Sequence, residues 1–313
     1  MSNAKHHTVS ISVLVTGATS QIGLFLLPRL VSQGFQVHAM SRTLPSGSDP
    51  GVIWHLGDIG IGEFPRVDAA TLIHLAPLPL LPRFLPSLVA GGLKRVIAFG
   101  STSRFSKQNS SDAEERSFAL RLIQAEQAIA LCCEPSGIPW TVFRPTLIYG
   151  CGKDKNVTVI AKFIRRFGFF PLLGETKGLR QPVHADDLAL ACLSVLDNPA
   201  AFNRAYDLSG GETLSYRQMV ERIFEGLGES PKFLRAPLPV FQALMKIASL
   251  LPRYRYLSGA MALRINENLC FDHSEASRDF GYSPRGFRPS SDDLAPRGLY
   301  AGNNRIGKLP EHG

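Results

Sequence analysis

VSISVLVTGATSQIG, residues 9–23, decides the fold. Its first half is a short, almost continuous apolar run rich in β-branched valine and isoleucine, as a strand buried on both faces requires. Its second half, Gly17 to Gly23, is a turn of small residues, after which apolar residues continue as a helix to a stop at Gly34. A helix that starts at such a turn offers unpaired backbone N–H groups and the positive end of its dipole, and phosphates bind there. Gly17 permits the tight turn, and Gly23 allows close packing of helix on sheet. Pro28 inside this helix is expected to kink it, because proline removes a backbone donor and crowds the preceding turn.

Outward from this unit, β-type runs recur at FQVHAM (35–40), GVIWHL (51–56), TLIHLA (71–76) and RVIAFG (95–100), separated by turn-rich or helical stretches. Strands alternating with crossovers imply a parallel sheet with helices on its faces. Ser111, followed by Asp112, Ala113 and Glu114, resembles a capping box, and Phe118, Leu122, Ala125 and Ile129 then recur at helical spacing. IPWTVFRPTLIYG (138–150) reads as a strand and residues 162–174 as a basic, aromatic loop. QPVHADDLALACLSVL (181–196) becomes helical near Ala185, RAYDLS (204–209) is a last strand, and residues 216–227 form another helix. Beyond Gly228, proline-punctuated helix and loop lead to a polar tail expected to be disordered.

The 313 residues suffice for one large or two modest domains, and 44% apolar with 19% charged residues excludes disorder as the dominant state. The net charge of +8 favours anionic ligands. It is spread along the chain without an aromatic-interleaved cluster, which argues against a nucleic-acid partner. Five cysteines without a Cys-x-x-Cys pair argue against a metal site and a disulfide framework, so a reducing cytoplasm is expected. The first ten residues carry no signal-like apolar stretch. The segment PLPVFQALMKIASLLPRYRYL from Pro237 is broken by Lys246 and bracketed by prolines, so it reads as an amphipathic covering helix and no membrane span is expected.

Six motifs in order carry a resemblance to the extended short-chain dehydrogenase/reductases, the NAD(P)-dependent epimerases and dehydratases of nucleotide-sugars. TGATSQIG is similar to the family's TGATGxIG, with Ser20 replacing the middle glycine. LGDI (56–59) resembles the adenine-contacting segment, IHLAP (73–77) the fourth-strand motif and FRPTLIYG (143–150) the RPxxVYG motif. QPVHADDLA (181–189) resembles the HVDDLA helix start, and FDHSEASRDFGYSP (271–284) the carboxy-terminal signature. The resemblance implies an α/β fold: a doubly wound parallel (Rossmann) sheet with a smaller carboxy-terminal substrate-capping region. Residues 8–174 would bind the dinucleotide, joined by the helix and strand of 185–208. Residues 175–300 would mostly cap the substrate, and 301–313 would be tail. The cofactor residues implied are Gly17, Thr19, Ser20, Gln21, Ile22, Gly23, Ser41, Arg42, Asp58, Ile59, Leu75, Ala76, Pro77 and Pro145.

At the end of the second strand an acidic residue would pair with the ribose 2′-hydroxyl and repel a 2′-phosphate. Ser41 and Arg42 stand there instead. A guanidinium grips phosphate through two charge-assisted hydrogen bonds, so NADP is favoured over NAD, although a solvated surface arginine is the simpler role. Asp58 would contact the adenine amino group by resemblance, or be an ordinary turn aspartate.

Relatives that oxidise a sugar hydroxyl use a tyrosine and a lysine four residues apart on one helix, whose positions fall here on Phe118 and Leu122. Neither transfers protons. No register shift restores the pair, since the first tyrosine is Tyr149 and no lysine occurs between Lys107 and Lys153. Ser101 matches the family's catalytic hydroxyl, with Thr102 as the neighbouring alternative. A hydroxyl alone is a poor base, so turnover needs another group; Tyr149, His184, Lys153 and Lys155 are within motifs or loops that could supply one, though His184 suits a structural role at a helix start. Arg180 would hold a substrate diphosphate by resemblance, or be a surface cation. Two functions follow: redox chemistry on a nucleotide-sugar or similar small metabolite with a relocated base, or non-catalytic dinucleotide binding as a sensor or structural subunit. A homodimer stays open.

Overall fold

Val13 and Val15 leave the first strand on one face and Leu14 on the other, and all three are buried. Such a strand belongs in the middle of a parallel sheet, and β1 (Ser12–Thr16) lies there, with Val13 opposite Val37 on one side and Thr71 on the other. The structure, a computed structural model, describes residues 11–45, 47, 49–173, 176–236 and 266–295. After β1 come β2 (Gln36–Ser41), β3 (Val52–Leu56), β4 (Thr71–His74), β5 (Arg95–Phe99), β6 (Trp140–Pro145), β7 (Ile148–Tyr149), β8 (Phe170–Leu173), β9 (Leu179–Arg180), β10 (Val183–His184), β11 (Arg204–Leu208), β12 (Leu214–Ser215) and β13 (Phe233–Ala236). Seven of them form a parallel sheet in the order β11-β6-β5-β4-β1-β2-β3. The others pair two by two, β7 with β10, β8 with β13 and β9 with β12. The chain moves outward from β1 to β3, returns past β1 to β4 and moves outward the other way. In open α/β sheets ligands bind at such a reversal, at the carboxyl ends of the strands, and here it falls between β1 and β4. The doubly wound sheet expected from the sequence is the sheet observed.

The helices are α1 (Gln21–Ser32), α2 (Leu85–Ala90), α3 (Ser103–Ser106), α4 (Ala113–Cys133), α5 (Val157–Phe167), α6 (Ala185–Ser194), α7 (Tyr216–Gly226) and α8 (Ser274–Phe280). Leu26, Leu27 and Leu30 of α1 and Leu188 of α6 pack on the face carrying Val13, Val15 and Val37. Leu122, Ala125 and Ile129 of α4 and Leu85 of α2 cover the opposite face, against Leu14, Leu72 and Val96. Burying one such leucine contributes about 1.5–3 kcal/mol, so the two apolar faces of the sheet dock the helices. A third cluster joins Tyr149 and Val157, Ile160 and Ile164 of α5 to Val220, Ile223 and Phe224 of α7 and to Phe287. Residues 149–164, inside the range 8–174, therefore pack with the later part of the chain.

Two local expectations are corrected. Residues 162–174 are not a loop: α5 runs to Phe167 and β8 follows. Val157, Ile160, Ala161 and Ile164 have helical spacing, and Gly168, at φ +73°, closes the helix in the left-handed conformation that glycine tolerates. The cap of α4 is Asp112 rather than Ser111, its carboxylate accepting from the Glu114 amide at 2.8 Å. Pro28 sits within one uninterrupted helix, exposed on its outer side. The stretch from Pro237 and the tail 301–313 lie outside the described residues.

Candidate functional site

The turn between β1 and α1 lies at the reversal of strand order. Gly17 has φ +66°, and a Cβ there would stand 2.5 Å from the Ala76 nitrogen; one on Gly23 would stand 2.0 Å from the Ala18 carbonyl oxygen. The glycines therefore let the turn lie against the β4 loop and let α1 start close to the sheet. Ser20 caps α1, its Oγ accepting from the Gly23 amide at 3.3 Å. A serine at the motif's middle glycine thus acts as a helix cap. The first-turn amides of Gln21 and Ile22 have no partner among the described residues. Two open amides at a positive helix end fit a diphosphate.

Ser41 ends β2, buried, with its hydroxyl donating to the Thr43 carbonyl. Arg42 follows on the surface and pairs with no carboxylate among the described residues. Asp58 and Ile59 follow β3; Asp58 accepts from the Gly60 amide at 2.8 Å, and Ile59 is buried. Leu75, Ala76 and Pro77 follow β4, and Pro145 ends β6. The residues named for the cofactor are thus gathered at the carboxyl ends of neighbouring strands. Beneath them His74, buried, faces Thr16 Oγ1 with Nδ1 at 2.7 Å and the Pro77 carbonyl with Nε2 at 3.3 Å. A carbonyl only accepts, so the ring carries its proton on Nε2 and takes the Thr16 hydroxyl at Nδ1. Burial lowers its pKa to about 4.

Ser101 and Thr102 follow β5. Thr102 is buried and its hydroxyl donates to the Pro145 carbonyl at 3.2 Å, whereas Ser101 is half-buried, its Oγ accepting from the Ser103 amide at 3.1 Å. Leu122 is buried in the α4 cluster. The Phe118 ring is half-buried, with Lys107 Nζ 5.4 Å from its centre. One turn beyond Leu122, Glu126 is buried and paired with Arg104 and with Arg144, whose Nη2 donates at 2.7 Å. A Cβ on Gly100 would stand 3.3 Å from Glu126 Oε1, so this ionic cluster lies directly beneath the Ser101 loop. The sequence reading missed it; the signal was the spacing of Phe118, Leu122 and Glu126, four residues apart along one helix.

The groups considered as replacement bases are dispersed. Tyr149 is buried against the His184 and Phe287 rings at 5.0 and 4.8 Å, and burial raises its hydroxyl pKa. His184 caps α6, accepting from the Asp186 amide at 3.0 Å, while its Nε2 meets Asp293 at 3.1 Å. Lys155 is exposed, and Lys153 donates to the Thr19 carbonyl at 3.3 Å. Arg180 lies away from the sheet, on β9, buried, donating to the Leu179 and Glu267 carbonyls, with its guanidinium 5.9 Å from the Tyr216 ring centre. No cluster of three metal-ligating side chains, and no helix long and apolar enough to cross a membrane, occurs among the described residues.

The chain is 24% identical over 262 residues to the NADH dehydrogenase [ubiquinone] 1 alpha subcomplex subunit 9, mitochondrial, of Arabidopsis thaliana, covering 74% of this chain and 61% of that protein. It is 21% identical to the UDP-glucose 4-epimerase of Vibrio cholerae, covering 87% and 90%. The UDP-glucuronic acid 4-epimerase from Bacillus cereus, solved in complex with NAD, shares the fold with a TM-score of 0.67 at 15% identity, over 93% of this chain and 98% of that one. The model of the NAD dependent epimerase/dehydratase family matches residues 70–209. This match spans β4 to β11, and the glycine-containing turn between β1 and α1 precedes it, so over that stretch the chain is similar to the NAD dependent epimerase/dehydratase family.

Proposed function

We propose that the chain binds a nicotinamide dinucleotide, NADP(H) ahead of NAD(H), and acts as a dinucleotide-responsive sensor or structural subunit, not through the tyrosine–lysine chemistry of its relatives. The observation that carries this reading is a contrast: the amides of Gln21 and Ile22 are open among the described residues, while α4 carries apolar Phe118 and Leu122 at the positions where the resemblance would put a tyrosine and a lysine. General acid–base help is worth about 10²- to 10⁴-fold, and Tyr149 and His184 are too engaged to replace it. The Arabidopsis relative's name, a subunit of a larger dehydrogenase, is in keeping with this role.

Arg42 supports NADP, being exposed beside the end of β2 and unpaired among the described residues, with a guanidinium fork suited to a 2′-phosphate. The Bacillus neighbour, solved with NAD, weighs the other way. Titration with both cofactors tests the preference: Arg42→Glu should weaken NADPH about tenfold or more and leave NADH nearly unchanged; equal losses contradict the assignment.

A second reading, redox chemistry on a nucleotide-sugar, draws support from the half-buried Ser101 hydroxyl at the β5 end and from the Vibrio epimerase, which the chain matches over 90% of its length. Incubation with NADP⁺ or NADPH and UDP-, GDP- and dTDP-sugars, followed by absorbance and product mass, separates the two. Retained cofactor without turnover is expected; conversion of any of these sugars overturns the non-catalytic reading.

A further inference from the structure

The loop 150–156, between β7 and α5, reaches the turn that opens α1, and three of its own features fix it there. Gly150 has φ +128°, and a Cβ on it would stand 2.6 Å from His184 Nε2, so the backbone lies flat against that ring. The Gly152 amide donates to the Asp293 carbonyl at 3.0 Å. The Asp154 carboxylate accepts from the amides of Asn156 at 2.8 Å and Thr158 at 3.0 Å, closing the loop at the start of α5. Two side chains then extend to the turn. Cys151 Sγ stands 3.9 Å from Gln21 Oε1, and Lys153 Nζ donates to the Thr19 carbonyl at 3.3 Å.

We propose that Lys153 is a diphosphate-binding residue, and that loop 150–156 is a strap whose ammonium exchanges the Thr19 carbonyl for the dinucleotide's diphosphate when the cofactor enters. The proposal rests on the dinucleotide reading and adds to it the group that balances the ligand's charge. Ser20 has taken the Gly23 amide, so two neutral first-turn donors, Gln21 and Ile22, face a doubly charged anion. A charge-assisted hydrogen bond is about twice as strong as a neutral one. Lysine suits the exchange, because its ammonium is a compact charge with three donors on a flexible stem, and Lys153 is exposed enough to move. The contact with Thr19 also gives Lys153 a task at the diphosphate, distinct from the proton transfer considered for it at the reacting end.

Calorimetry on the full chain tests this with two probes: NADPH, which carries the diphosphate, and adenosine 2′-monophosphate, which lacks it. Lys153→Gln should weaken NADPH about tenfold, leave adenosine 2′-monophosphate within about twofold, and reduce the salt dependence of NADPH binding. Lys94→Gln, an exposed lysine at the opposite end of the sheet, should change neither. Unchanged NADPH affinity in Lys153→Gln overturns the strap and leaves the dinucleotide reading standing. Equal weakening of both probes also overturns the strap, since it marks a structural rather than an electrostatic effect. A wild-type chain that binds no NADPH overturns both.

Discussion

His74 shows how one residue couples the fold to the site. It is held neutral between Thr16 and Pro77, bridging the end of β1 to the loop that follows β4. Its pKa is depressed from 6.5 to about 4 by burial. Unfolded chains take up this proton near pH 6.5 while the folded chain does so only near pH 4, so the unfolded state binds more protons in between and stability falls as pH drops through that window. The loss from this residue amounts to about 3 kcal/mol in total. Urea midpoints measured from pH 7 to pH 4.5 should fall steadily, and His74→Gln, which keeps a donor and an acceptor but does not titrate, should flatten part of the slope; an identical slope in the variant would refute the linkage. The positions of Gln21, Ile22 and Arg42 at the ends of β1 and β2 were legible in the sequence, because the strand–turn–helix pattern specifies them. The neutral state of His74 was not, because burial comes from residues distant in the chain.

At the scale of elements, α4 carries Phe118 and Leu122 at the two positions where the family resemblance would place a tyrosine and a lysine. Leu122 is a core residue between α4 and the sheet, so Leu122→Lys places an ammonium among apolar side chains and should cost about 3 kcal/mol or more. Phe118→Tyr, on a half-buried ring, should change stability by about 1 kcal/mol or less. The double variant is expected to melt well below wild type and to gain no turnover of sugar nucleotides; wild-type stability together with new activity would show that the packing of α4 does not stand in the way. The strands of the seven-stranded sheet, α1, α4 and α6 could be read from periodicity. α5 could not, because its basic and aromatic outer face masks a buried stripe that shows its purpose only once α7 and Phe287 pack on it. Likewise, Arg144 was quoted only as part of a motif, and its partners Glu126 and Asp207 come from α4 and β11, which the chain order keeps apart.

Across the whole molecule, the strand order reverses between β1 and β4, and this brings the turn after β1, Arg42 after β2 and the loop after β4 to the carboxyl ends of neighbouring strands. A third cluster, built on α5 and α7, carries the loop that places Lys153 over the turn. The central claim is that the amides opening α1 capture a diphosphate. It is tested most directly by calorimetric titration of NADPH into wild type and Ser20→Asp. Aspartate caps a helix as well as serine does, so α1 should stay intact while a carboxylate faces the ligand's phosphates. Saturable one-to-one binding by wild type, weakened at least about tenfold in Ser20→Asp at unchanged melting temperature, is the result expected; no NADPH binding by wild type, or undiminished binding by the variant, would contradict it.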